Sequence, residues 1–174
     1  SFDGSNDNHL NAPPPTQAPF TTLGLANGGF SYSGWINTSD ASGPDTILSI
    51  SDAAAGSEEG NLRLVNGVLD FLGRHNTLDN VAISGSFAAN GEWRHVAVTS
   101  GPGGTVMYLD GNADGSSPFG VDIDSFTTND GNVAVNFGAN NDNGGGLQWE
   151  YSGLIDEFTV YNTVLSQEQV RFLA

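Results

Sequence analysis

The chain has 174 residues and a mass of 18.1 kDa, enough for one domain with a full core. Fourteen Asp and six Glu face four Arg and no Lys, a net charge of −16. A surface this negative repels phosphate backbones and anionic headgroups, which excludes nucleic-acid binding and adsorption to anionic membranes. Cysteine is absent, so disulfides, thiolate metal sites and Cys nucleophiles are excluded too. No apolar run is long enough to span a bilayer. No signal peptide is visible and the first residue is Ser1, which reads as a mature or excised segment of a longer chain.

Taken in chain order, short β-branched and aromatic runs recur at intervals of about 10–15 residues, separated by Gly, Asn and Asp. They cover residues 30–37, 46–52, 61–72, 80–84, 93–100, 105–110, 119–124, 132–138 and 154–162. The prediction is an all-β sandwich of antiparallel strands in a single domain over 1–174. Asn66-Gly67 marks a two-residue hairpin turn, and Asn90-Gly91 and Asp110-Gly111 carry the same signal. Alternation sends Val96 and Val98 to one face and Ala97 and Thr99 to the other. Phe119, Val121 and Ile123 are read the same way. Pro13-Pro14-Pro15 reads as a surface loop or an edge. Ser166 and Gln169 form a capping box that opens a short terminal helix, with Val170 and Leu173 as its apolar edge. So short a helix must pack on the sandwich.

Several segments resemble laminin G-like jelly-roll modules. They are SFDGSND at 1–7, FSYSGWIN at 30–37, NGEWRHVAVT at 90–99, the hairpin at 106–111, and GLIDEFTV at 153–160 with the segment to Ser166. The resemblance implies the concanavalin A-like fold, a jelly-roll sandwich of two antiparallel sheets. It also implies a non-catalytic carbohydrate- or protein-binding module of a larger secreted protein, such as a bacterial adhesin or a polysaccharide-acting protein. Such modules often hold a structural calcium ion. The implied location is extracellular or at the cell surface, as a monomeric module within a longer chain.

Four groups of residues are candidates for chemistry. Asp3 and Asp156 lie on strands that the resemblance makes neighbours. With Asn6 or Asp7 they would offer calcium the hard oxygens it needs. The alternative is that Asp3 caps a turn and Asp156 binds backbone amides. Asp110, Asn112 and Asp114 match the first half of a calcium-loop pattern, but Val121 stands where a bidentate Glu is required. The turn reading is preferred. The run Asn140, Asn141, Asp142, Asn143 and its three glycines, followed by Trp149 and Tyr151, suits a ligand rich in hydroxyls. Trp149 and Tyr151 fall on one side of an alternating stretch, where a ring could stack on a sugar face. Against that, Tyr151 could belong to the core. His75 sits in a polar loop that could reach the same ligand or face water, whereas His95, Trp35 and Trp93 lie in strand motifs and read as packing residues.

Catalysis is not expected. The paired Glu that glucanases of this fold carry is missing, and there is no Lys to neutralise an acidic sugar as the lyases of the fold do. The reading is a lectin-like or adhesion module that binds a glycan, neutral sugars favoured, or else a surface protein or peptide. A structural spacer is the remaining reading.

Overall fold

The computed structural model describes residues 2–3, 10–12, 29–52, 57–58, 60–74, 80–121, 133–140 and 148–174. Thirteen strands are described. They are β1 (Phe2–Asp3), β2 (Leu10–Ala12), β3 (Phe30–Asn37), β4 (Pro44–Asp52), β5 (Ser57–Glu58), β6 (Gly60–Val65), β7 (Val68–Arg74) and β8 (Asn80–Phe87). Then follow β9 (Trp93–Gly101), β10 (Gly104–Leu109), β11 (Asn112–Ser117), β12 (Val133–Phe137), β13 (Ser152–Tyr161) and helix α1 (Gln167–Leu173).

The strands form two sheets, and every strand pair is antiparallel. A six-stranded sheet runs β1-β13-β3-β9-β10-β11. A seven-stranded sheet runs β2-β12-β4-β6-β7-β8, with β5 beside β4. The core lies between them. Tyr32, Ile36, Val96, Val98 and Met107 come from the first sheet, and Leu48, Leu62, Leu64, Leu69 and Phe71 from the second. Tyr32 ties the layers together, with its ring 5.8 Å from Phe30, 6.4 Å from Phe71 and 6.0 Å from Phe158. Burying each such side chain stabilises the fold by roughly 1.5–3 kcal/mol.

The hairpin signals act as expected at two places. Asn66 and Gly67 have φ of 53° and 77°, and Asp110 and Gly111 have 49° and 72°. Two consecutive positive φ values make the turn whose twist matches the flanking strands. The first turn fixes β6 against β7, so Arg63 faces Asp70 and Leu62 faces Phe71. The second returns β10 into β11. Its carboxylates then serve the fold. Asp110 accepts from Arg94 at 2.7 Å and from the His95 amide at 3.0 Å, and Asp114 accepts from the Ser86 amide and hydroxyl. Residues 112–115, read as part of a turn, instead begin strand β11. Residues 118–121 are not a strand, so the strand expected over 119–124 does not begin where alternation placed it; 122–124 lie outside the described residues.

At the C-terminal end, the Ser31 hydroxyl donates to the Thr163 carbonyl and accepts from the Leu165 amide. That pins the approach to α1. Ser166 and Gln169 form the predicted capping box. Val170 is buried with Leu165 against Ala97 and Tyr108, on the outer face of the six-stranded sheet. Trp93, expected to pack, stands 43% exposed at the start of β9. Pro13–Pro15 lie outside the described residues.

Asp45, at the start of β4, is only 6% exposed, and its Oδ2 has no hydrogen-bond partner. Burial, and then the charge of Asp40, pushes its carboxyl up to about 6. A carboxyl that binds its proton more tightly when folded makes stability fall as pH rises from about 4 to about 6, and the loss persists above that. Asp45→Asn is expected to flatten this dependence. At pH 7 it should add about 2 kcal/mol, or about 4–8 °C in melting temperature. Melting curves from pH 4 to 8 on both proteins check it; parallel curves would contradict it.

Candidate functional site

On the seven-stranded sheet, the face away from the core collects polar groups with unused hydrogen-bonding capacity. Register shows why. Leu48 of β4 faces Leu62 of β6 and Phe137 of β12, all toward the core. Their neighbours Ser49, Asn61 and Asn136 therefore point outward, as do Thr46, Arg63 and Asp70 one step along. Asn136 lies opposite Ser49 on one side and Asn11 of β2 on the other.

Several of these outward groups are buried. Thr46, Ser49, Asn61, Asn136 and Asn140 are each 0% exposed. The Ser49 hydroxyl donates to Asn140 Oδ1 at 2.9 Å. Both amide atoms of Asn61, both of Asn136, Nδ2 of Asn140 and Oγ1 of Thr46 have no partner. Burying an unpaired polar group costs about 1–3 kcal/mol, so folds rarely keep several together without a use for them.

Trp149 borders this cluster. The Thr46 amide donates to its carbonyl at 2.7 Å, which fixes the segment on the edge of β4. Its backbone φ is 54°, a costly value for a bulky residue and one that concentrates at functional positions. The Arg63 guanidinium lies 5.6 Å from its ring centroid, and Arg63 Nε donates to Asp70 Oδ1 at 2.7 Å. Ring, guanidinium and carboxylate form a partly exposed ledge beside the buried amides.

The residues expected to bind ligand are thus divided. Asn140 and Trp149 belong to this face, but Asn140 is a buried group and not an exposed loop residue. Paired backbone bonds of 2.8 Å between Asn140 and Gln148 close the base of the intervening run. Asn141, Asp142 and His75 lie outside the described residues. Trp149 and Tyr151 do not share a side. The positive φ at Trp149 breaks the alternation, and Tyr151 is 1% exposed within the core. Burial pushes its phenol well above the usual tyrosine range. Sequence reasoning missed Asn61, Arg63, Asp70 and Asn136. Counting outward from the Asn66-Gly67 turn would have paired Arg63 with Asp70.

For calcium, Asp3 lies opposite Ser152, four positions along β13 from Asp156. That is about 13 Å along the strand; the Asp3 side chain lies outside the described ones. Asp156 is exposed, and its Oδ1 accepts from the Glu157 amide at 2.9 Å. Among the described residues, no three His, Asp or Glu side chains converge on one point. Asn6 and Asp7 lie outside them. Ser152 also borders a concavity of about 500 Å³ with Asn37, Thr38, Ser39 and Asp40.

Comparison with known proteins agrees with this architecture. The family described as the concanavalin A-like lectin/glucanases superfamily matches residues 4–171. No curated protein matches the chain. The CBM40 of the Ruminococcus gnavus IT-sialidase, bound to α2,3 sialyllactose, superposes with a TM-score of 0.72 at 15% identity, covering 98% of this chain and 95% of that one. The heptameric SAP-like pentraxin of Limulus polyphemus gives 0.66 at 18% identity, over 100% and 80% of the two chains. The binding domain of botulinum neurotoxin DC, in complex with rat synaptotagmin II, gives 0.66 at 15% identity over 99% of this chain. The chain spans 41% of that toxin domain's length.

Proposed function

The chain belongs to the concanavalin A-like lectin/glucanases superfamily, and from that premise we propose that it is a non-catalytic carbohydrate-binding module. Its ligand lies on the outer face of the seven-stranded sheet. The observation that carries this is the set of unpaired polar atoms on Thr46, Asn61, Asn136 and Asn140 beside the Trp149 ledge. A sugar supplies hydroxyls that donate and accept at once, which is what unpaired amides require; because these groups are 0% exposed, binding must uncover them. Trp149 supplies a flat face for the ring. Arg63 is held by Asp70, so the described face presents no uncommitted cation to an acidic sugar, and the net charge of −16 repels one. Neutral sugars follow. We place the module outside the cell, in a larger protein, as the family resemblance implies; no helix among the described residues is long and apolar enough to cross a membrane. A glycan array probed with the pure chain tests the reading. Binding concentrated on neutral glycans supports it, and release of reducing ends or unsaturated products would overturn the non-catalytic part.

Calcium is a separate proposal. A bound ion would draw on Asp3 and Asp156, with Asn6 or Asp7. Bound only to the folded state at about 1,000 times its Kd, calcium adds roughly 4 kcal/mol, or about 8–16 °C in melting temperature. EDTA should lower the melting temperature by that amount, and Asp156→Ala should abolish the difference. A melting curve that EDTA leaves unchanged would remove the ion.

A further inference from the structure

The opposite sheet carries a second pocket. It opens on the outer face of the six-stranded sheet, between β13 and the end of α1, with a volume of about 380 Å³. Ser33, Trp35, His95, Glu157, Tyr161 and Leu173 line it. Register explains the set. Trp35 lies opposite His95 on one side and Asp156 on the other, and Thr159 opposite Ser33. Between Asp156 and Thr159 the register shifts, so Glu157 and Phe158 form a bulge. Phe158 turns inward against Tyr32. Glu157 takes φ 50°, a left-handed value that a glutamate reaches at a cost, and is exposed at the pocket. Bulges of this kind re-aim a side chain out of the pleat.

The chemistry of the lining has one sign. Trp35 is partly exposed and meets His95 edge-on at 5.4 Å. His95 is 1% exposed, and its Nδ1 has no partner. Burial holds its pKa below the ordinary value, against the pull of Asp110, and so disfavours a positive ring. Glu157 and Asp156 make no ion pair among the described residues. Arg63 and Arg94 are committed to Asp70 and Asp110, and Arg171 leans toward Asn112. An aromatic ring, a carboxylate, no cation and a chain of net charge −16 make a receptor for a positive group.

We propose that this pocket binds the lysine side chain of a partner polypeptide, its alkyl stem along Trp35 and Tyr161 and its ammonium at Glu157. The site is on the sheet opposite the proposed glycan face, so either assignment can fail without the other.

The test uses the whole ¹⁵N-labelled chain and three short peptides of Gly and Ser around one central residue: lysine, norleucine or Nε-acetyl-lysine. The lysine peptide is expected to shift the Trp35 indole N–H signal while leaving that of Trp149 in place. Norleucine and acetyl-lysine should leave both unmoved. Glu157→Gln should weaken the lysine peptide about five-fold. Glu157→Gly, relaxed at φ 50°, provides the same reading should Glu157→Gln fold poorly. Equal shifts from norleucine, no shift from any peptide, or unchanged affinity in the folded variants would overturn the assignment. Stronger binding of free glucosamine than of the lysine peptide would overturn the choice of a polypeptide partner.

Discussion

Replacing Asn61 and Asn136 together by Leu is expected to raise the melting temperature and to abolish glycan binding. Both side chains are fully buried, and all four of their amide atoms lack partners. Leu has the same branched shape and no hydrogen bonds to satisfy. Removing unpaired buried groups without opening a cavity is stabilising, whereas removing one partner of a made bond is not. A gain of about 2 kcal/mol corresponds to about 4–8 °C for a domain of this size. Affinity for the ligand should fall at least about ten-fold, the equivalent of one lost hydrogen bond of about 1.4 kcal/mol. A stability gain joined to a functional loss is the sign of groups kept for a ligand. A drop in melting temperature would show instead that the amides hold the fold, and the argument for this face would fail. The pair lies across β12 and β6 with Ser49 of β4 between. The single variants therefore need to be measured too, because neighbours in one polar row need not add.

The second large effect is at Trp149. Its ring lies at the edge of the amide cluster and is approached by Arg63 at 5.6 Å. Stacking of a flat ligand on such a ring, by analogy with base stacking, is worth roughly 1–3 kcal/mol, a factor of about five to 150 in affinity. Trp149→Ala should lose that much while melting close to the parent, because the ring is partly exposed and lies outside the core cluster. The backbone adds a distinguishing control. At φ 54° a glycine is relaxed and an alanine is not. Trp149→Gly should therefore fold at least as well as Trp149→Ala and bind equally poorly. A Trp149→Ala protein that binds like the parent and melts far lower would make the ring structural.

Much of the fold was legible because its determinants are local. Asn66-Gly67 and Asp110-Gly111 supply positive φ in pairs, Val96 and Val98 alternate into the core, and Ser166 with Gln169 caps the helix. What failed were readings that depend on distant partners. Residues 112–115 look like part of a turn until β10 pairs with them as a strand, and Ser86 of β8 claims Asp114. Trp149 and Tyr151 share a parity in sequence, and a single left-handed residue removes it. The site was half legible. Trp149 and Asn140 could be named because an aromatic beside an Asn- and Gly-rich run is unusual. Asn61 and Asn136 could not, because an outward Asn in a strand looks like any solvated residue, and only the folded chain shows it buried and unpaired.

The central claim is that the buried amides of the seven-stranded sheet meet the ligand. Titrating the ¹⁵N-labelled chain with a neutral oligosaccharide that binds on the array, and following side-chain N–H signals, tests it most directly. The side-chain amides of Asn61, Asn136 and Asn140 are predicted to shift together with the Trp149 indole, along one binding curve, while the Trp35 indole stays in place. A saturating ligand that leaves those three amides unmoved would contradict the account.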